Sequence, residues 1–258
     1  MLEFILFILV GFLLGVFGGG GSILLFPILV FFYNLEPLIA SSYTLFLIGI
    51  TSLLGAYFYF MKKEICIRCF VTFGLISTLT TILVRFFLPI FPQNLFGVIT
   101  LNSFILIIFS FLMFLTGLNL FFRKKELNLQ NESNLNNFFN KKLIFYSFLV
   151  GLLTGLTGAG AGFLIVPALL LSTNINFKTA VGTSLLIIGS NSIFGFLTDI
   201  NNFIFNWRNL FLFLFLIIIG LVIGLFLSNK LNIEKLKKSF ALILLFLSLF
   251  FPFIYFFF

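Results

Sequence analysis

Apolar residues run along this chain in long uninterrupted blocks, separated by short polar loops and showing no alternating polar face. Eight blocks are legible, at 2–33, 38–60, 66–91, 94–122, 143–172, 179–200, 207–228 and 239–258. Blocks of this length cross a hydrocarbon core about 30 Å thick. Lipid offers backbone groups no hydrogen bonds, so each block must satisfy its own, and the pattern predicts helices. The expected fold class is an all-α polytopic membrane protein. The first block of each half is interrupted by small residues, at 18–22 and 158–162. Two conformations fit such a run: a re-entrant hairpin or broken helix of two short arms, and one long helix kinked at glycine.

The two interruptions belong to a duplication. Shifting the sequence by 140 positions aligns residues 11–27 with 151–167 without a gap, and 7 of the 17 positions are identical. The register continues through Asn34 and Asn174, Ala40 and Ala180, Gly49 and Gly189, Ser52 and Ser192, Gly55 and Gly195, and Arg68 and Arg208. The chain therefore divides into a first membrane repeat at 1–122, a polar linker at 123–142 rich in Asn, Lys and Glu, and a second membrane repeat at 143–258. Duplicated halves with a solute site between them are a common plan for transporters.

Charge decides how the halves are oriented. If each glycine-broken block enters and returns on one side, 13 of the 15 Lys and Arg residues share a face, leaving Arg85 and Arg208 for the other. That distribution obeys the positive-inside rule, puts the linker in the cytoplasm and makes the second repeat inverted relative to the first. The block at 2–17 lacks a basic start and a small-residue cleavage pattern, and reads as part of the mature protein. The 44 Phe residues read as lipid-facing filler.

Composition narrows the chemistry. Apolar residues make up 61% of the chain and charged residues 9%, which excludes a water-soluble domain. The net charge of +8 is scattered over loops beside apolar blocks, which argues against nucleic acid and for contact with membrane lipid. With no His and only Cys66 and Cys69, the chain cannot by itself supply four zinc ligands, and no metal or cofactor is expected. Those cysteines read either as incidental thiols at a helix start or as a thiol pair. Neither glycine run ends in the Gly-Lys-Ser/Thr of a nucleotide loop, and no nucleophile stands beside an obvious base, so an enzyme is not expected.

A glycine break at membrane depth frees backbone N–H groups, and the helix that follows points its positive end there, so such a break suits an anion. The candidate substrate-binding residues are accordingly Gly18, Gly19, Gly20, Gly21 and Ser22 in the first half and Gly158, Gly160 and Gly162 in the second. Ser42, Thr44, Thr183, Ser184 and Asn191 add hydroxyl and amide donors without the cost of a buried charge. Arg85 reads as a side chain snorkelling to the outer interface, and Asp199 as a helix-end cap or a carboxylate for proton coupling.

Residues 15–27 and 155–167, the Ala180-Val-Gly-Thr-Ser184 stretch and Asn206-Trp-Arg208 together resemble the sulfite exporter TauE/SafE family of membrane permeases over nearly the whole chain. The resemblance implies a multi-pass protein of the cytoplasmic membrane that moves small sulfur oxyanions or organosulfonates, commonly outward. A homo-oligomer is compatible with it. The competing reading is a non-transporting membrane subunit whose glycine-rich repeats serve helix packing. In the first half, Ser41-Ser42-Tyr43-Thr44 and Cys66-Ile67-Arg68 replace the motifs of the second.

Overall fold

The computed structural model describes residues 2–19, 21–88, 94–96, 99–100, 141–158, 162–173 and 175–228, with isolated positions in 103–118 and 242–248. Gly20, Gly160 and residues 123–140 of the expected linker lie outside the described residues. Lys141 and Lys142, placed at the end of that linker by the sequence, instead open a helix.

Each half begins with two short helices and continues with two long ones. In the first half these are α1 (Leu2–Phe17), α2 (Ser22–Phe32), α3 (Pro37–Met61) and α4 (Ile67–Phe87), the last containing one π-helical turn at Phe70–Gly74. In the second they are α5 (Lys141–Thr157), α6 (Gly162–Ser172), α7 (Phe177–Asp199) and α8 (Trp207–Leu227). Helices α3, α4, α7 and α8 are long and apolar enough to cross a membrane. A short antiparallel ladder, β1 (Asn94–Phe96) with β2 (Ile99–Thr100), departs from the helix expected to start at 94. Gly97, between the two strands, disfavours a helix interior.

Helices exchange partners between the halves: α1 lies along α8, α5 along α4, and α3 crosses α7 at the centre. Glycines make these approaches close. A Cβ added at Gly11 would strike the Ile217 carbonyl, and one at Gly151 the Ser77 carbonyl, which is the same pair shifted by 140 with the halves exchanged. Gly15 against the Leu221 carbonyl and Gly155 against that of Thr81 obey the same offset, as do Gly49 against Ile193 and Gly189 against Leu53. Without a hydrophobic driving force inside lipid, such backbone-to-backbone packing is the main source of helix association. Large apolar side chains that the bundle leaves exposed, among them Phe86, Phe145, Phe215 and Phe226, form the lipid-facing surface.

Two hydrogen bonds tie the loops to the opposite half. The Cys66 N–H donates to Thr183 Oγ1 at 2.9 Å, and the Asn206 N–H donates to the Tyr43 hydroxyl at 2.7 Å. Both donors are helix N-caps whose side chains accept from the residue three further on: Cys66 Sγ from the Cys69 N–H, and Asn206 Oδ1 from the Asn209 N–H. Cys66 and Cys69 are disulfide-bonded. Tyr43→Phe and Thr183→Val each leave a backbone N–H without its acceptor. Each is expected to cost about 1–3 kcal/mol, read as a lowered unfolding temperature of the purified protein in detergent.

Candidate functional site

The glycine runs are true breaks. Gly18 and Gly158 adopt φ of +68° and +66°, and Gly19 reaches +147°, backbone conformations that side chains rarely tolerate. The chain then turns back. A Cβ at Gly21 would stand 2.6 Å from the Leu14 nitrogen and 3.0 Å from Leu13 Cβ, although a continuous helix would place residue 14 about 10 Å away. A hairpin of two arms therefore replaces the kinked-helix alternative in the first half.

The two breaks meet. A Cβ at Gly19 would lie 2.9 Å from the Gly162 backbone, and one at Gly162 would lie 2.8 Å from Gly19 Cα. Ile188 Cδ1 touches both points. Some donors at the start of α2 are already used: the Ser22 hydroxyl gives its proton to the Gly19 carbonyl at 2.6 Å, and the Ser22 N–H reaches the same oxygen at 3.3 Å. Ser184 Oγ lies 2.8 Å from both the Gly18 and Val181 carbonyls.

The hydroxyls divide by what they touch. Thr44 donates to the Ala40 carbonyl of its own helix at 2.7 Å, a bond that spends its proton on packing. Thr183 donates to the Thr179 carbonyl at 2.6 Å while accepting from Cys66, so both its roles are structural ties. Asn191 is different. Its Oδ1 accepts from Ser77 at 3.1 Å and Thr78 at 2.7 Å, while its Nδ2 is buried with no hydrogen-bond partner among the described residues. Ser52 Oγ and Ser192 Oγ, at matching positions where α3 crosses α7, are also buried and unpartnered. Unspent donors at this depth are costly unless something else uses them.

Sequence reasoning misplaced the strongest polar feature. Arg85 does not snorkel to an interface, and Asp199 does not simply cap its helix. Their side chains are 0% and 2% exposed, and Arg85 Nη1 meets Asp199 Oδ2 at 2.6 Å. Ser42 donates to the same oxygen at 2.6 Å, and Arg85 Nη2 donates to Ser41 Oγ at 2.9 Å. A Cβ at Gly158 would lie 2.6 Å from Arg85 Nη2, so the guanidinium abuts the second glycine break. The available signal was opposite charges inside apolar blocks of different halves, since intramembrane ionisable residues are rare and usually paired.

Long apolar helices around two broken ones, with a buried ion pair against the second break, define a multi-pass membrane transporter. The chain belongs to the sulfite exporter TauE/SafE family, whose sequence profile matches residues 3–251. It is 31% identical over 244 residues to a "Probable membrane transporter protein" of Xylella fastidiosa strain Temecula1, covering 92% of this chain and 88% of that protein. A protein of the same description from strain 9a5c is 28% identical over 243 residues, with the same coverage. "Probable membrane transporter protein YunE" of Bacillus subtilis strain 168 is 26% identical over 231 residues, covering 80% of this chain and 81% of its own. No solved structure gives a significant match.

Proposed function

We propose that this transporter is a secondary permease for small anions, sulfur oxyanions or organosulfonates, and moves them outward across the cytoplasmic membrane. The observation that carries the reading is the meeting of the breaks at Gly19 and Gly162, with Ser184 bonded to the first break at Gly18 and Arg85 against the second at Gly158. Glycine backbone and neutral donors suit an oxyanion that must be held without being trapped. The family's name as a sulfite exporter supports both substrate class and direction.

Contacts that recur at an offset of 140 with the halves exchanged support two inverted repeats, 1–122 and 143–258, with the site between them. In that arrangement the substrate site comprises Gly18 to Ser22 on one side and Gly158, Gly160 and Gly162 on the other. Asn191 serves as a side-chain donor, Ser42 and Ser184 turn their hydroxyls to the substrate once Asp199 and the Gly18 carbonyl let them go, and Thr44 and Thr183 hold the helices that carry them. Small separations between the breaks imply that they part for a substrate to pass.

Uptake of radiolabelled sulfite, thiosulfate, taurine and sulfoacetate into proteoliposomes tests the reading. Flux of at least one of them above empty vesicles is expected. Gly19→Leu abolishes it, because the new side chain would collide with Gly162 and Ile188. Asn191→Leu reduces it on the order of tenfold or more. Full flux in both variants would remove the breaks and Asn191 from the pathway.

A further inference from the structure

We propose that Arg85 recognises the transported anion and that Asp199 is a tethered competitor for it, so that each anion bound at Arg85 brings one proton onto Asp199. The inference rests on the transport reading above. It starts from the donors of Arg85. Nη1 serves Asp199 at 2.6 Å and Ser42 at 3.4 Å, and Nη2 serves Ser41, whereas the buried Nε has no partner among the described residues. A guanidinium carries five N–H donors in a planar fork suited to oxyanions. Its Nη2 edge lies against Gly158, four residues before α6 starts at Gly162.

Packing alone does not require this ion pair. Positions shifted by 140 from Arg85, Asp199, Ser41 and Ser42 are Leu225, Tyr59, Val181 and Gly182. They occupy an equivalent arrangement: Tyr59 Cβ would lie 2.7 Å from a Cβ on Gly182, as Asp199 lies against Ser42, and Val181 meets Gly18 as Ser41 meets Gly158. One end of the bundle thus fills these four positions with uncharged residues, with Glu64 beside Tyr59, while the other holds an arginine ion-paired to a carboxylate. Buried ion pairs are generally no better for stability than apolar replacements, so a function is the better account of this one.

The chemistry follows from competition. A carboxylate and a sulfur oxyanion both present oxygens to the same guanidinium fork. When an anion takes Arg85, the displaced Asp199 is left in a low-dielectric setting beside a second negative charge, and it accepts a proton. Among the described residues the ionised group against Asp199 is Arg85 of α4; α3 presents the Ser41 and Ser42 hydroxyls, and the backbone at Gly158, just past α5, closes over Arg85. The exchange balances: one anion and one proton enter, the Arg85–Asp199 contact breaks, an Arg85–anion contact and a carboxylic O–H form. A monovalent anion is then carried without net charge, and a divalent one with a single net negative charge.

Thiosulfate, which does not itself titrate near neutral pH, is the probe. Its binding to the full chain in detergent is measured by calorimetry in two buffers of different ionisation enthalpy, alongside flux into proteoliposomes. Wild type is expected to take up about one proton per thiosulfate bound. Asp199→Asn takes up none and binds roughly tenfold tighter, because the competitor is gone. The charge-balanced Arg85→Gln, Asp199→Asn double variant folds and loses binding by on the order of a hundredfold. Flux with no proton uptake in wild type overturns this inference and leaves the transport reading standing, as does wild-type affinity in the double variant. Neither binding nor flux for thiosulfate, sulfite, taurine or sulfoacetate overturns both. The wild-type proton count decides the matter even if Asp199→Asn does not fold.

Discussion

Arg85→Leu is expected to destabilise the protein by about 3–5 kcal/mol, because it strands the Asp199 carboxylate in a site that is closed to water. In a thermal melt of the detergent-solubilised protein this appears as a fall on the order of 10 °C. The control is the double variant Arg85→Leu, Asp199→Leu. It removes both charges at once and should recover most of the loss, since the positions equivalent to Arg85 and Asp199 are filled by buried, uncharged Leu225 and Tyr59. A single variant as stable as wild type would mean that water or lipid headgroups reach Asp199. A double variant no better than the single would mean that Ser41, Ser42 and Gly158 need the guanidinium for their own placement.

Enlarging a glycine where two backbones touch should be equally damaging. A Cβ on Gly220 would run into the Ile8 carbonyl and lie 2.9 Å from the Phe12 nitrogen, and neither backbone can yield without moving a whole helix. Gly220→Ala is expected to cost about 3 kcal/mol, and Gly220→Leu to prevent recovery of a monodisperse protein by size-exclusion chromatography. Gly55→Ala is the contrast. Its Cβ would meet Leu185 Cδ1 at 3.1 Å, the far end of a side chain that can rotate, and alanine favours the helix. Its net effect should stay within about 1 kcal/mol. Equal losses at Gly220 and Gly55 would refute the idea that backbone proximity, and not glycine as such, holds α1 to α8.

Those contacts also explain what the sequence could reveal. The glycine breaks and their repetition were legible because losing side chains at a fixed offset leaves a mark in one dimension. Asn191 stood out for the same reason, as an amide in an apolar block. Thr44 and Thr183 did not sort themselves from Ser42, because whether a hydroxyl returns to its own helix or reaches across depends on its rotamer and neighbours. Arg85 was misread from its place near the end of a block. Distance along α4 gave no warning that α3, α7 and the break at Gly158 cover that end. The reversal at Gly18–Gly21 was one of two conformations open to the sequence, and the backbone positions beside Leu14 select it.

The exchange of partners, with α1 on α8 and α5 on α4, interlocks the halves like clasped hands. Each half alone would expose a glycine stripe that only the other can cover: Gly11 and Gly15 need α8, and Gly151 and Gly155 need α4. Two separate polypeptides, cut within 123–140, contain every one of these mating surfaces and should find each other in one membrane. A single ancestral half would have met the same demand only by pairing with a second copy of itself.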